Sequence, residues 1–546
     1  MRKLLFNLVI AGVLGVGVHS YAAKKLKASS AQPPLMGWAS WNQFGPKIDE
    51  KVIKGQADAM VSSGLAAVGF QYINIDDGFF NKRYSDGTLR IDSIKFPKGM
   101  KELADYIHSK GLKAGFYSEA GENTCGSQYS GQPGGAGGGL YGHDQQDADL
   151  FFKTWGFDFL KVDYCGGRVQ KLDEKTRYTE IRKAIDNTGR DVNFNICRWQ
   201  FPGTWVIPLA DSWRMSNDIN FTPGSRARWR SIISIINQNK YLAQYASPGH
   251  YNDMDMLEVG RGMSFEEDKS HYTMWCILSS PLALGCDMTK MSEETKTILT
   301  NKEIIALNQD LAGLQAHLIY EKDSVQIWAK NMKDRQSKEF AVAMLNLGVK
   351  PAVLSVKWKD LNIIGKATVC DLWAHKDLGS VDSVFSATVQ GHGVSAIKVN
   401  AQKTKLKEVF EAEYAWMNNF NLTVSTVIVP EQAKPITDGA CSGRTKVINI
   451  GKIAENYIEF QDVYAANAGN YTLNLYYISG ENRDATLSVN GKEIQLSKLN
   501  SGGAKEVAKK TIPVTLKKGY NSIRISNPTS FTPDIDKIEI DLNKKR

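Results

Sequence analysis

The chain of 546 residues is long enough for about two to four domains of ordinary size, each with a buried core. Hydrophobic residues make up 42% and charged residues 23% of it, a balance typical of folded globular proteins that excludes a largely disordered or collagen-like chain. The formal charge of +9 is spread along the chain without a dense run of Lys and Arg, which argues against a nucleic acid partner.

The N-terminus has the pattern of an export signal. Arg2 and Lys3 precede an apolar run over residues 4–18, and Ser20 and Ala22 are small residues at the two positions that a signal peptidase reads. A membrane anchor is the alternative, but the run is shorter than the roughly 20 residues that span a bilayer, and no later segment is long enough. We therefore predict a cleaved signal peptide over residues 1–22, a periplasmic or extracellular protein, and no membrane association after cleavage.

The cysteines give a limited prediction. They are widely spaced and match no zinc-binding pattern, and their odd number leaves at least one thiol unpaired. One or two disulfides are expected in an oxidising compartment. The seven cysteines are Cys125, Cys165, Cys197, Cys276, Cys286, Cys370 and Cys441.

The first half of the chain alternates short β-prone runs with longer stretches of helical periodicity, the pattern of a parallel sheet with crossover helices. Eight such units in about 250 residues match the size of a (β/α)8 barrel, also called a TIM barrel. We predict this α/β barrel over residues 31–312. The β-prone runs are 36–40, 72–75, 113–117, 159–162, 193–196, 212–215, 250–254 and 281–285.

Beyond the barrel the pattern changes to short strands separated by turns, with no helical stretches between them. We predict an antiparallel β domain over residues 313–400, followed by a polar and basic linker at 401–407. A second set of strands, residues 408–546, predicts a C-terminal β-sandwich.

Carboxylates follow several of the predicted barrel strands. The reactive groups of such barrels gather at the carboxyl ends of the strands, and acids crowded there repel one another unless they serve a function or hold a cation. A metal hydrolase and a glycosidase could both use this cluster. The eight histidines form no HExxH arrangement, which favours the glycosidase. The acids are Asp76, Asp77, Asp163, Asp218, Asp253 and Asp255.

The same strand ends carry a family resemblance. The ordered blocks resemble those of glycoside hydrolase family 27, which comprises α-galactosidases and their relatives, and the similarity runs from about residue 33 to 399. The blocks are MGWASWN at 36–42, NIDDG at 74–78, GFYS at 115–118, KVDYC at 161–165, SWR at 212–214 with Asp218, NDMDML at 252–257 and DLWAH at 371–375.

The resemblance implies a retaining exo-glycosidase that releases terminal α-D-galactose from a carbohydrate substrate. It places Asp163 as the catalytic nucleophile and Asp218 as the acid/base. Lys161, two residues before Asp163 on the same face of the strand, would favour the ionised carboxylate that a nucleophile requires. No cofactor is expected for catalysis.

The resemblance also implies the sugar-binding residues. Carboxylates and an ammonium group are strong partners for hydroxyls and discriminate between epimers. The expected contacts are Asp76 and Asp77 with the 4- and 6-hydroxyls, Lys161 near the 3- and 4-positions, Trp41 and Tyr117 as an apolar wall, Cys197 and Arg198 facing the 2-substituent, Arg214 on the 2-hydroxyl side, and Asp255 and Met256 as the floor. A disulfide between Cys125 and Cys165 is implied near the site.

Three residues depart from the family pattern. Arg198 stands where a small or neutral residue or Glu is common, and a bulky cation there leaves little room for an N-acetyl group. Phe79 replaces a usual Trp, and Glu119 a frequent Asp. Relatives with β-L-arabinopyranosidase or isomalto-dextranase activity are therefore alternatives. A secreted sugar-binding protein without catalysis is an alternative from another class.

The C-terminal sandwich resembles carbohydrate-binding modules of families 6 and 35. The resemblance implies that Glu411, Glu413 and Asp536 hold a structural calcium ion, for which carboxylate oxygens are suitable ligands. Binding of sugar by this module would raise the local concentration of a polymeric substrate. No oligomeric state is predicted.

Overall fold

The computed structural model describes residues 32–220, 222–421 and 432–543. The predicted signal peptide, residues 1–22, lies outside the described residues. Among the helices in the described ranges, none combines the length and the apolar character that crossing a bilayer requires.

Eight parallel strands form the first domain and confirm the predicted barrel. They pair in the order β8-β1-β2-β3-β4-β5-β6-β7, and a parallel bridge between Leu257 and Leu284 joins the segment after β7 to β8. The strands are β1 (Met36–Ala39), β2 (Tyr72–Ile75), β3 (Lys113–Glu119), β4 (Phe159–Asp163), β5 (Asn193–Cys197), β6 (Ser212–Arg214), β7 (Tyr251–Asp253) and β8 (Leu282–Leu284).

Helices surround these strands, and side-chain caps fix where several of them begin. Asp49, Asp173 and Ser264 each accept a hydrogen bond from a backbone amide of the following first turn. The α-helices are α1 (Trp41–Phe44), α2 (Glu50–Ser62), α3 (Gly99–Ser109), α4 (Cys125–Tyr129), α5 (Asp144–Ala148), α6 (Cys165–Val169), α7 (Glu174–Asn187), α8 (Trp229–Gln238), α9 (Phe265–Ile277), α10 (Glu293–Leu299) and α11 (Lys302–Asn308). A hairpin of Phe80–Arg83 and Leu89–Ile91 follows β2.

A small β domain follows the barrel. Six of its strands form an antiparallel sheet in the order β9-β10-β11-β16-β13-β14, and β12 pairs with β15. The strands are β9 (His317–Lys322), β10 (Val325–Asn331), β11 (Glu339–Asn346), β12 (Ala352–Lys357), β13 (Ile363–Asp371), β14 (Lys376–Asp382), β15 (Val384–Val389) and β16 (Val394–Thr404).

The six-stranded sheet has two buried faces, because successive side chains of a strand point to opposite sides. Along β11, Ala341, Ala343 and Leu345 pack into the core shared with the barrel, whereas Val342 and Met344 pack into the separate core beneath β12 and β15. The small β domain is therefore fixed to the barrel by a common hydrophobic core.

The boundary to the next domain differs from the sequence prediction. Strand β16 continues to Thr404, so that residues 401–404 of the predicted 401–407 linker are strand. This segment pairs with β13, so its backbone groups form hydrogen bonds within the sheet. Its polar composition did not indicate this pairing.

The C-terminal domain, here called the module, contains two antiparallel sheets, as the predicted β-sandwich requires. One has the order β19-β20-β27-β22-β25, with β17 also paired to β27, and the other has the order β18-β21-β26-β23-β24. The strands are β17 (Val409–Glu411), β18 (Trp416–Met417), β19 (Lys434–Thr437), β20 (Thr445–Ile448), β21 (Ile458–Ala465), β22 (Gly469–Ile478), β23 (Arg483–Val489), β24 (Lys492–Leu499), β25 (Ala508–Leu516), β26 (Gly519–Ser526) and β27 (Asp534–Ile540).

Candidate active site

The carboxyl ends of the barrel strands bring most of the predicted site residues to one end of the cylinder. In the strand register Glu119 lies beside Asp163, Cys197 beside Arg214, and Arg214 beside Asp253. A cavity of about 50 Å³ opens beside these side chains, and of them Arg214 and Asp253 line it, whereas Glu119, Asp163 and Cys197 do not. Of the predicted site residues, Asp76, Tyr117, Lys161, Arg214, Asp255 and Met256 line it.

A buried ammonium group links the acids of β2 and β4. Lys161 Nζ lies 2.9 Å from Asp76 Oδ2, to which it donates a hydrogen bond, and 3.6 Å from Asp163 Oδ1. Burial would lower the pKa of Lys161, but Asp163 and Asp76 hold it well above its ordinary value. The positively charged form of Lys161 is therefore favoured and compensates the two carboxylates.

Asp163 is buried, yet one of its oxygens remains free. Burial raises the pKa of the Asp163 carboxyl to about 7, and the Lys161 ammonium and the Cys197 thiol oppose this rise. Its Oδ2 lies 3.3 Å from Cys125 Sγ. Within the described part of the chain, no group donates a hydrogen bond to Oδ1. This oxygen is therefore unpaired in a buried position, with the Lys161 ammonium as its neighbouring charge.

Arg214 connects the other carboxylates. Its two terminal nitrogens lie 2.8 Å from Asp218 Oδ1 and 2.9 Å from Asp255 Oδ1. Asp255 also accepts hydrogen bonds from the Ile219 and Met256 amides, both at 2.8 Å. Both oxygens of Asp255 are thus engaged within the protein, whereas the side chain of Asp218 is 38% exposed and accessible to water.

The segments after β3 and β4 are joined covalently. Cys125 and Cys165 form a disulfide, as the family resemblance implies. Glu119, at the end of β3, accepts hydrogen bonds from the backbone amides of Gly121, Cys165 and Gly167 at 2.9–3.3 Å. Burial, together with Asp163, raises the pKa of Glu119 to about 8. Glu119 therefore holds the loop that follows the candidate nucleophile.

Asp77 is held by the first turn of α4. Its Oδ2 accepts a hydrogen bond from the Gly126 amide at 2.8 Å, and a Cβ at Gly126 would lie 2.5 Å from the same oxygen, so that only glycine fits. Burial raises the pKa of Asp77 to about 6.

The aromatic residues of the predicted wall lie at different depths. The Tyr117 ring is buried 5.4 Å from Lys161 Nζ, and its hydroxyl accepts a hydrogen bond from the Cys125 amide at 3.3 Å. Trp41 is the half-buried first residue of α1, directly after β1. Tyr117 is thus fixed by the disulfide segment, while Trp41 belongs to the rim.

Arg198 has its own partners beside the site. Its guanidinium pairs with Glu174 in α7 and lies 4.6 Å from the centroid of the Tyr164 ring. These contacts hold the cation against the helix that follows β4, and Arg198 is not among the residues lining the cavity.

Several polar residues at the site were missed by the sequence analysis. Asn195 donates hydrogen bonds of 2.8 Å to Asp253 Oδ2 and to Ser212 Oγ, and all three residues line the cavity. Asn74 lines it too, with a buried Oδ1 that has no hydrogen-bond donor in the described ranges. Each of these residues lies in a β-prone run, two positions from a predicted site residue. Since alternate residues of a strand face the same side, this spacing could have indicated that they point into the site.

The predicted calcium residues converge in the module. Ser442 Oγ donates to Glu411 Oε2 at 2.6 Å, and the Ser442 amide donates to Asp536 Oδ1 at 2.9 Å. Glu413 is 3% exposed and has an oxygen, Oε2, without a donor among the described residues. Burial, and then Glu411 and Asp536, raise the pKa of Glu413 well above its ordinary value. A cation held by these oxygens would relieve this repulsion.

The spacing of these three carboxylates is wider than that of a closed metal site. Among the described residues, one group of three side chains has possible metal-ligand atoms within 4.8 Å of one another. It consists of Glu119, Cys125 and Cys165 and does not include the module carboxylates. Its two sulfurs form the disulfide, so these thiols are not available as metal ligands. The module site fits calcium by its chemistry and requires the carboxylates to close around the ion.

The barrel and the small β domain match known proteins. Residues 33–310 match the family model described as Alpha galactosidase A, and residues 322–399 match the Alpha galactosidase C-terminal beta sandwich domain. The chain is 38% identical over 419 residues to Alpha-galactosidase A of Cellvibrio japonicus (strain Ueda107), which covers 73% of this chain and 100% of that protein. It is 40% identical over 379 residues to Alpha-galactosidase 2 of Arabidopsis thaliana, covering 68% and 91% respectively.

The solved structures give the same result. The crystal structure of alpha-galactosidase I from Mortierella vinacea superposes with a TM-score of 0.63 at 35% identity and covers 70% of this chain and 100% of that one. The resemblance noted in the sequence is thereby confirmed for the barrel and the small β domain. The chain belongs to the α-galactosidase family of glycoside hydrolases, family 27.

Proposed function

We propose that this chain is a retaining exo-α-galactosidase that hydrolyses terminal α-D-galactosyl residues of oligo- or polysaccharides. The free oxygen of Asp163 is the single observation that carries this conclusion. Asp163 Oδ1 is buried, lies 3.6 Å from the Lys161 ammonium and has no donor among the described residues. Asp255, the other deeply buried acid of this group, has both oxygens occupied.

In the first step, Asp163 attacks the anomeric carbon while the bond from that carbon to the leaving oxygen breaks. Asp218 donates its proton to the leaving oxygen. The exposure of Asp218 supports this role, because the leaving group of an exo-acting enzyme extends towards solvent. Arg214 orients the Asp218 carboxyl through their contact of 2.8 Å.

In the second step, Asp218 accepts a proton from water, and the water oxygen attacks the anomeric carbon. The bond to Asp163 breaks, and the carboxylate is restored with net retention of configuration. Lys161 stabilises the departing carboxylate as its negative charge returns.

The sugar hydroxyls would meet charged partners at the same end of the barrel. Asp76 and Asp77 accept hydrogen bonds from the 4- and 6-hydroxyls in this proposal, and Lys161 donates near the 3- and 4-positions. The existing contacts of these carboxylates, to Lys161 and to the Gly126 amide, leave lone pairs for further hydrogen bonds. Such pairing favours galactose over its 4-epimer, since the wrong epimer leaves a buried charge unpaired.

We also propose that the protein is exported. The Cys125–Cys165 disulfide supports an oxidising compartment, since disulfides seldom persist in a reducing cytosol. The basic and apolar leader at residues 1–22 supports the same location.

In the module, we propose a structural calcium ion held by Glu411, Glu413 and Asp536. When bound, the ion would neutralise three converging carboxylates and connect the start of the module to its last strand, β27. It takes no part in the reaction at the barrel.

The charge of Lys161 predicts a pH effect. Burial raises the pKa of Asp163 and Lys161 opposes the rise, so Lys161→Met should raise that pKa by about 1 to 3 pH units. Because the nucleophile acts as a carboxylate, the acidic limb of the kcat/KM profile should move to higher pH by the same amount. Lys54→Met, in α2, removes an ion pair away from the site and serves as the control. An unmoved acidic limb in Lys161→Met would contradict the proposed coupling.

The two catalytic carboxylates predict different substrate dependences. Asp163→Asn should abolish turnover of every α-galactoside, because no covalent intermediate can form. Asp218→Asn should slow substrates with alkoxide leaving groups by about 10² to 10⁴-fold, and a dinitrophenyl galactoside much less, since that leaving group needs no protonation. Asp105→Asn, an exposed acid of α3, is the control. Equal losses for both leaving groups in Asp218→Asn would remove its assignment as the acid.

The calcium proposal predicts a stability effect without a rate effect. Removal of metal by a chelator should lower the melting temperature of the module, and added Ca²⁺ should restore it, because the ion binds the folded state. Activity on a small chromogenic galactoside should stay unchanged below that temperature. Glu413→Gln should lose the response to Ca²⁺. The proposal fails if protein verified as metal-free by elemental analysis melts at the same temperature with and without Ca²⁺.

A further inference from the structure

A cleft of about 590 Å³ lies where the barrel, the small β domain and the module meet; we call it the junction cleft. The barrel contributes Tyr241, the small β domain contributes Tyr320 and Gln336, and the module contributes Asp462 and Tyr464. Its volume is within the range of ligand-binding pockets, and such pockets often form between domains.

The junction cleft lies at the opposite end of the barrel from the candidate active site. Tyr241 follows α8 and precedes β7, and loops that precede strands lie at the amino-terminal face of a barrel. Asp163 and Asp218 lie at the carboxyl-terminal face, at or after the ends of their strands. A molecule in the junction cleft therefore cannot be an extension of a sugar seated at Asp163.

The walls of the cleft are balanced in charge. Five acidic side chains and five Lys or Arg side chains line it. Two of the acids, Glu411 and Glu413, are those assigned to the calcium ion, and Lys407 is paired with Asp462 at 2.8 Å. With or without the ion, the walls carry no large excess of one charge sign that would attract a charged ligand. The balance favours a neutral ligand that forms many hydrogen bonds.

Aromatic and amide groups are available to such a ligand. Tyr464 is half-buried and is supported edge-on by Tyr520, with ring centroids 5.2 Å apart. Gln336 reaches the Tyr520 hydroxyl at 3.4 Å, so the amide and the two rings form one surface across the domain boundary. Tyr320 is 44% exposed on the neighbouring wall. Aromatic faces beside amides match the apolar faces and hydroxyl edges of pyranose rings.

A buried imidazole in the wall is also unsatisfied. His317 Nδ1 has no hydrogen-bond partner among the described residues, and its ring packs edge-on against Tyr414 at 4.7 Å. Burial lowers the pKa of His317 to about 3, so the neutral ring offers a donor and an acceptor. The wall therefore adds an uncharged polar ring to the cleft.

We propose that the junction cleft is a second carbohydrate-binding site that takes a neutral oligosaccharide segment, two or three pyranose units long, remote from the catalytic cavity. The three domains each supply part of it. Sugar binding there requires no catalysis at Asp163, so it stands or falls separately from the proposed function.

The test uses the full chain carrying Asp163→Ala, which prevents hydrolysis during binding. Affinity electrophoresis in gels with galactomannan, arabinogalactan or xyloglucan should show retardation by at least one of these neutral polysaccharides. Adding Tyr464→Ala and Gln336→Ala should weaken that binding by about five- to tenfold, the effect expected for loss of an aromatic anchor. Tyr464→Phe should retain binding, and Tyr106→Ala, a tyrosine of α3 outside the cleft, is the matched control.

The cleft variants in the active background should keep the parent kcat/KM on a chromogenic α-galactoside and the parent melting temperature. Unchanged polysaccharide affinity in the Tyr464→Ala and Gln336→Ala protein would place sugar binding elsewhere and overturn the proposal. Retardation by none of the three polysaccharides would overturn it as well. If the double variant has a lower melting temperature, Tyr464→Phe is compared with Tyr464→Leu. Leu keeps an apolar side chain without the ring, so this comparison distinguishes a loss of ring stacking from a loss of folding.

Discussion

A buried ammonium group between two carboxylates is the interaction on which this site depends. Lys161 lies 2.9 Å from Asp76 and 3.6 Å from Asp163 in surroundings from which most water is excluded. Removing one partner of a buried ion pair leaves an uncompensated charge at a cost of about 3–5 kcal/mol. The same ammonium group that compensates these acids in the barrel opposes the rise in the pKa of Asp163 and so favours the carboxylate that nucleophilic attack requires.

The loops around this charge are held by backbone contacts as well as by the disulfide. Glu119 accepts hydrogen bonds from backbone amides of the segments after β3 and β4. Asp255 accepts one from the amide of Ile219, the residue after Asp218. Each of these buried acids accepts hydrogen bonds from the protein itself and so positions a segment next to a carboxylate that reacts in the proposed mechanism. Carboxylates of one chemical type thus divide into positioning groups and reacting groups according to which oxygens remain free.

The sequence was sufficient for the eight barrel strands and for the residues at their ends, because strand order alone brings those ends together. It could not show that Arg198 turns to Glu174, since that pairing depends on where α7 packs after β4. Strand β14 gives no strand pattern in the sequence, because its side chains are largely exposed and lack the alternation of a half-buried strand. The junction cleft joins residues more than 200 positions apart, and no local pattern encodes it.

The molecule therefore combines a charged cavity at the carboxyl-terminal face of the barrel with β domains, of which the small one packs along helix α9. The proposed reaction is a displacement by Asp163 followed by a second displacement by water. Proton NMR of the sugar released in the first minutes of hydrolysis tests this most directly. We expect α-galactose to appear first and to mutarotate slowly to the equilibrium mixture. If β-galactose appears first, water attacks directly and Asp163 is not a nucleophile.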